Sequence, residues 1–286
     1  MLPTTENNIL IVLVLYNEFL ENSETFKSLL KGSFQNKPKH KIIVYDNSTA
    51  TRHDLSFLKK YESYFTIEYV SDDTNPGISH AYNYAFKVAS EHHFNWLLLL
   101  DQDTKLPVNY IQTFIETVEC ANTCVVSFVP RVEQEVNELV ISPFKINSFG
   151  VMKKLSKKVK GVIDYNIIAI NSGAFISVAF LSEIGGFSKD YPLDMLDFWL
   201  FSKISENKKL IYVLDINVLH DLSVANFENN VSLGRYESIL SAEKRFYSST
   251  RKRKYFHKIR LIKRLFQQSR FKNKSFFKKT LKYFLK

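Results

Sequence analysis

Cysteine is nearly missing from this chain: Cys120 and Cys124 are the only two among 286 residues. Four residues apart in a stretch that reads as helix, they offer no disulfide framework and, with no Cys/His set around them, no zinc site. A reducing cytoplasm suits such a chain. Glycine and proline are sparse, eight and seven in all, within a globular composition that is 45% hydrophobic and 14% aromatic. No internal repeat is visible, and no low-complexity segment precedes the C-terminal tail. Long apolar runs are lacking too. Ile9–Tyr16 is too short to span a bilayer and follows no basic residue, so neither a signal peptide nor an anchor is expected. The longer stretch from Ile167 to Phe187 is broken by Asn171, Ser172, Gly173 and Glu183 and reads as core. Leu13–Ser23, LVLYNEFLENS, has neither glycine nor cation. That argues against the glycine-rich, basic phosphate loop of a nucleotidyltransferase.

Acids are missing from one region only. From Arg251 to the C-terminus there are 15 Lys and Arg and no Asp or Glu, which leaves 24 of the 39 bases against all 29 acids in the preceding 250 residues. The chain is therefore a mildly acidic domain, net −5, carrying a very basic tail.

What the acidic part does contain is alternation. Strands are expected at Ile9–Leu15, Lys41–Tyr45, Phe65–Val70, Trp96–Leu100 and Leu210–Leu219. Helices are expected at Glu18–Lys31, Asp54–Tyr64 and Ile78–His92, the last from the spacing of Ala81, Tyr84, Ala85 and Val88. Strand and helix in turn argue for βαβ units and a parallel sheet with right-handed crossovers. Ligands of such sheets bind beyond the carboxyl ends of the strands, a rim on which Asn17, Asp46 and Asp101 fall.

The run Trp96–Thr104, WLLLLDQDT, sets two carboxylates where a strand buried on both faces leaves the core. Charge is costly there unless compensated. A hard divalent cation wants such oxygen ligands. In an extended segment residues i and i+2 face one side, so Asp101 and Asp103 can converge on one ion. The plainer reading is a capped helix start, with Lys105-Leu106-Pro107 opening the helix.

Several stretches, in order, resemble the inverting family 2 glycosyltransferases of GT-A fold, above all their bacterial rhamnosyltransferase-like members. They are VLVLYN (Val12–Asn17), VYDNS (Val44–Ser48), NPGISHAYN (Asn75–Asn83), the DQD motif, NSGAFIS (Asn171–Ser177) and GGFSKDYPLDMLDFWL (Gly185–Leu200), with His220 beyond. The likeness covers roughly residues 9 to 250. It implies a GT-A, Rossmann-like α/β fold: a mixed, mostly parallel sheet flanked by helices. The nucleotide-sugar half would span about 1–105 and the acceptor half about 106–250, with residues 251–286 as a separate basic helical tail.

The resemblance also assigns roles. Asp103 would bind Mg2+ or Mn2+, with Asp101 nearer the ribose and reaching the ion through water. His220 is either a third ligand or a structural strand-end histidine. Tyr16, Asn17, Asp46, Asn75, Gly77, Asn83, Asp101 and Gln102 would face the nucleotide sugar. Asp46 would accept from a pyrimidine N–H; Asn83 is either a donor contact or a polar residue on a helix face. Asp197 is the expected base, taking the proton of the attacking acceptor hydroxyl. Asp194, three residues earlier and on the same helical face, would assist it, bind the acceptor or cap the helix. Ser172, Gly173 and Trp199 would meet the acceptor, Trp199 and Phe198 having core positions as the alternative. The relatives tend to carry an Arg after the base, where this chain has FWLFSKIS and Lys203; Arg235, Arg245 and Tyr247 are the candidates to replace it.

The tail interleaves cations with two apolar sets, Phe256 to Phe266 and Phe271 to Leu285, at roughly helical spacing. A basic amphipathic helix suits an anionic membrane surface; packing on the chain's own acidic domain is the alternative. Nucleic acid is not expected, since the acidic domain offers no recognisable nucleic-acid module. The reading as a whole is a metal-dependent, inverting enzyme at the cytoplasmic face of the cell membrane. It would move rhamnose, or else galactose or galactofuranose, from a dTDP- or UDP-sugar to a lipid-linked glycan. A non-catalytic binding protein on the same fold is the other class.

Overall fold

The computed structural model describes residues 8–32, 39–50, 55–135, 139–147, 150–220 and 231–285. Asp54, the expected start of the second helix, lies outside them. The strands are β1 (Ile9–Leu15), β2 (His40–Asp46), β3 (Phe65–Ser71), β4 (Trp96–Asp101), β5 (Thr104–Lys105), β6 (Val125–Glu133), β7 (Val140–Ser142), β8 (Phe144–Ile146), β9 (Met152–Lys154), β10 (Gly161–Ile163), β11 (Ile167–Ile168), β12 (Phe175–Ser177) and β13 (Leu210–His220). The helices are α1 (Glu24–Lys31), α2 (Ile78–Glu91), α3 (Tyr110–Val118), α4 (Val178–Ile184), α5 (Leu196–Glu206), α6 (Leu233–Tyr247), α7 (Arg251–Gln268) and α8 (Ser275–Leu285).

One mixed sheet runs in the order β10-β13-β6-β12-β4-β1-β2-β3, with β5 added to β13 and β7 to β6; β11-β8-β9 form a small second sheet. β3, β2, β1 and β4 are mutually parallel. Their residues are buried on both sides, and alternation sorts them. Leu10, Val12, Leu97 and Leu99 pack with α2, α4 and α5, while Ile11, Leu13, Leu98 and Leu100 pack with α1 and α3. That two-faced burial is why the strands read as continuous apolar runs. β12 enters antiparallel between β4 and β6.

Three expectations need correction. α1 begins only at Glu24, because the Ser23 hydroxyl caps it by accepting from Phe26 N at 3.2 Å, and residues 18–23 are turns. The second helix is a 3₁₀ segment, Leu55–Tyr61. Cys120 and Cys124 lie beyond the end of α3 on exposed turns, not within a helix.

The tail is two helices, and it packs on the domain. α7 and α8 share a core with α6, built from Tyr236, Ile239, Leu240, Leu261 and Phe276. Glu243 of α6 accepts two hydrogen bonds from Arg264, at 2.8 and 2.9 Å. Tyr247 stacks on His257 with ring centroids 5.0 Å apart.

Candidate active site

Parallel pairing puts the ends of β1, β2 and β4 side by side, so their exit loops share one rim. The loops are tied to each other. Tyr16 N donates to Gln102 Oε1 at 2.7 Å, and Asn17 N donates to Ser48 Oγ at 2.8 Å. Tyr16 itself is exposed on this rim.

Asp101 ends β4, Gln102 and Asp103 turn, and Thr104 starts β5. The two acids therefore converge through a turn and not through strand alternation, and Lys105 continues a strand where a helix start was the alternative. β5 pairs antiparallel with the end of β13 in a register that sets His220 opposite Thr104. One ligand atom from each of Asp101, Asp103 and His220 lies within 4.8 Å of the others. His220 Nδ1 is 3.3 Å from Asp103 Oδ1 and 3.0 Å from Thr104 Oγ1. Two carboxylates and an imidazole fit a divalent ion such as Mg2+ or Mn2+ better than a soft metal. Burial lifts the Asp101 carboxyl to about 6, with His220 opposing the rise and Asp103 adding to it.

Buried hydroxyls hold this turn, and sequence reasoning missed two of the four. Ser172 Oγ accepts from Asp101 N at 3.0 Å and lies 2.6 Å from Thr104 Oγ1. Thr25 Oγ1 accepts from Thr104 N at 2.8 Å while donating to the Asp101 carbonyl. Ser23 Oγ donates to the Gln102 carbonyl at 2.7 Å. Thr104 in the DQDT run and Ser172 in NSGAFIS stood in motifs the sequence displays; Ser23 and Thr25 carry no such signal. Ser172 and Gly173, expected at the acceptor, are instead buried behind the turn. Antiparallel pairing of Phe175 with Leu98 brings the residues before β12 back against the residues after Leu98.

Asp46 also departs from expectation. It is fully buried, accepting from Ser48 N at 2.9 Å and from the Tyr69 hydroxyl, so it shapes its loop. Its neighbour Asn47 is buried with Oδ1 unpartnered among the described residues.

The loop before α5 and the first turn of that helix carry the second acid pair. Asp197, in the first turn of α5, accepts from Phe198 N at 2.8 Å. Burial raises its carboxyl to about 6, with Asp194 and Asp101 adding to the rise. Asp194 does not share the helix face. Met195 takes a left-handed backbone (φ 65°) between them, and Asp194 Oδ1 accepts from Arg235 Nη2 at 2.8 Å. Burial raises Asp194 as well, against the pull of Arg235. Trp199 and Phe198 pack on the core. Of the three cationic-site candidates, Arg245 pairs with Asp190 at 3.2 Å, and Tyr247 is buried, accepting from Arg260.

The start of α2 buttresses this loop. Asn83 Nδ2 donates to Phe187 O and Asn83 Oδ1 accepts from Phe187 N, both at 2.8 Å, so Asn83, expected at the donor, anchors the segment leading to α5. Gly77 has φ 94°, and a Cβ there would lie 2.4 Å from Pro192 O. Asn75, beside it, borders a cavity of about 730 Å³ between this turn, the 190–194 loop and α6, with Asp194, Arg235, Ser238, Arg245 and Tyr283 on its walls.

The sequence profile of Glycosyl transferase family 2 matches residues 10–177. The chain belongs to glycosyl transferase family 2. No curated protein matches it in sequence. Among solved structures, S. aureus TarS residues 1–349 is similar at 14% identity, with a TM-score of 0.53 over 92% of this chain and 78% of that one. The same TarS fragment with UDP-GlcNAc is similar at 13% identity and TM-score 0.55, over 93% of both chains. GalNAc-T7 with UDP, GalNAc and Mn2+ is similar at 11% identity and TM-score 0.61, over 93% of this chain and 52% of that one. At such identities the likeness shows the GT-A fold. The family 2 glycosyltransferase described here thus has its acid-acid-histidine cluster on the rim where α/β sheets of this kind take ligands.

Proposed function

We propose that this glycosyltransferase moves a hexose or deoxyhexose from a dTDP- or UDP-sugar to a hydroxyl of a lipid-linked glycan, with inversion. Rhamnose is the first donor to test, galactose or its furanose form the next. The observation that carries the reading is the meeting of Asp101, Asp103 and His220 at the end of β4. UDP in the TarS and GalNAc-T7 crystals, and Mn2+ in the latter, support a nucleotide-sugar donor and a divalent ion for this chain as well.

In this reading Asp103, Asp101 and His220 hold Mg2+ or Mn2+. The ion supplies charge that stabilises the departing nucleoside diphosphate. Tyr16, Asn17 and Gln102 line the donor's side of the rim. Asp197 removes the proton of the acceptor hydroxyl. The hydroxyl oxygen bonds to the anomeric carbon as the bond from that carbon to the diphosphate oxygen breaks on the opposite face. The acceptor enters through the cavity walled by Asp194 and Arg235. The enzyme works as a peripheral protein at the inner face of the membrane, held there by residues 251–286.

Isothermal titration with UDP and dTDP, with and without Mn2+, tests this. Wild type should bind one of them tightly only with metal, and Asp103→Ala should lose that dependence. A folded wild type that binds neither nucleotide would remove the proposal.

A further inference from the structure

The tail's apolar residues fall on two faces of α7, and among the described residues only one of these faces packs against other elements. The inner face is closed against α6 and α8: His257, Leu261 and Gln268 are buried, Arg260 bonds the Tyr247 hydroxyl and Arg264 pairs with Glu243. On the opposite face Tyr255, Ile259, Ile262 and Phe266 stand 64%, 43%, 39% and 72% exposed. Their spacing, i, i+4, i+7 and i+11, collects them within about 60° of arc at 3.6 residues per turn. By the same geometry Arg251 and Lys258 flank the stripe on one side and Lys252 and Lys263 on the other, all four exposed.

We infer that this outer face of α7 docks on an anionic phospholipid bilayer, Tyr255, Ile259, Ile262 and Phe266 entering the headgroup boundary and the flanking Lys and Arg meeting lipid phosphates. Scattered exposed apolar residues need no explanation, but four aligned on one helix do. The charge pattern selects the occupant. With no acid from Arg251 onward, the stripe is rimmed by one sign only, complementary to an acidic lipid surface. Long basic side chains can bury their stems while the charges stay at the phosphates. Among the described residues no helix is long and apolar enough to cross a membrane, so α7 lies on the surface instead. The neighbouring α8 carries Tyr283, which lines the cavity beside Asp194 and Arg235, one helix away from the proposed contact. The inference deepens the membrane part of the proposed function and rests on it for the choice of partner; it is independent of the donor chemistry.

Deleting residues 251–286 would uncover Tyr236 and Leu240, so the test uses the full chain. Flotation with phosphatidylglycerol/phosphatidylethanolamine vesicles, and with phosphatidylcholine alone, compares wild type with Ile259→Asp/Phe266→Asp and with the milder Ile259→Ser/Phe266→Ser. Val108→Asp, an exposed apolar site elsewhere, is the control. The expected result is binding to the anionic vesicles only, weakened about tenfold or more in both stripe variants and unchanged in the control. Melting temperature and UDP or dTDP binding should stay at wild-type values. Equal vesicle binding by the stripe variants, or none by wild type, would overturn the inference. So would tighter binding to duplex DNA, or a dimer formed without lipid and lost in the stripe variants. Loss of nucleotide binding by wild type would sink the donor reading alone and leave the flotation result standing.

Discussion

Asp197 carries the sharpest test at the scale of single residues. Burial pushes its carboxyl up to about 6, against about 4 for an aspartate in the unfolded chain. Between those values the folded state binds more protons, so stability falls as pH rises through that window. Asp197→Asn removes this cost and should stabilise the protein at pH 7 by on the order of 3 kcal/mol, read as a rise in melting temperature. A base must be deprotonated to act. Wild-type kcat/KM should therefore climb with pH through about 6 and level off, measured under metal concentrations held constant, since a bound cation would move the midpoint lower. The Asn variant should turn over about 10²–10⁴-fold more slowly. Full activity in it would pass the role to Asp194, whose pairing with Arg235 argues instead for a place at the acceptor.

At the scale of elements, α2 and the loop before α5 act as one unit. The Asn83 side chain answers both the N–H and the carbonyl of Phe187, and Ser79 Oγ donates to Ser188 O at 2.7 Å. Asn83→Ala leaves a buried backbone pair unanswered, a cost of about 1–3 kcal/mol, and loosens the segment that aims Asp197. The expectation is a lower kcat with nucleotide affinity unchanged. Should titration show affinity lost and kcat kept, Asn83 would be the donor contact that the family resemblance implied. β5 is the other decisive element. Two residues long, it fixes His220 beside Asp103 by pairing it with Thr104.

For the whole molecule, the basic tail is part of the folded body. Leu261 and Ile262 are adjacent yet differ in kind, one 4% exposed in the α6–α7–α8 core and the other on the outer stripe. Leu261→Ala should cost about 2–5 kcal/mol in urea unfolding, and Ile262→Ala within about 0.5 kcal/mol. Equal effects would mean that α7 does not pack on α6 as described. Lys279 and Glu237 join α8 to α6 in a further ion pair, beside the cavity wall.

The sequence alone determined the parallel half of the sheet, the order of its helices and the twin acids at the end of β4. Each of those is written locally, in strands apolar on both faces and in charges placed where such a strand ends. Tertiary structure decided which partners those residues meet. Asn83 and Phe187 are 104 residues apart, Thr104 and His220 116 apart, and no local pattern links them. The burial of Asp46, the retreat of Ser172 and Gly173 behind the turn after β4 and the separation of Asp194 from Asp197 follow from strand register and from one left-handed residue, Met195. The tail shows the same division of causes. Its helical periodicity was legible, but two apolar faces on one basic helix look alike until α6 covers one of them.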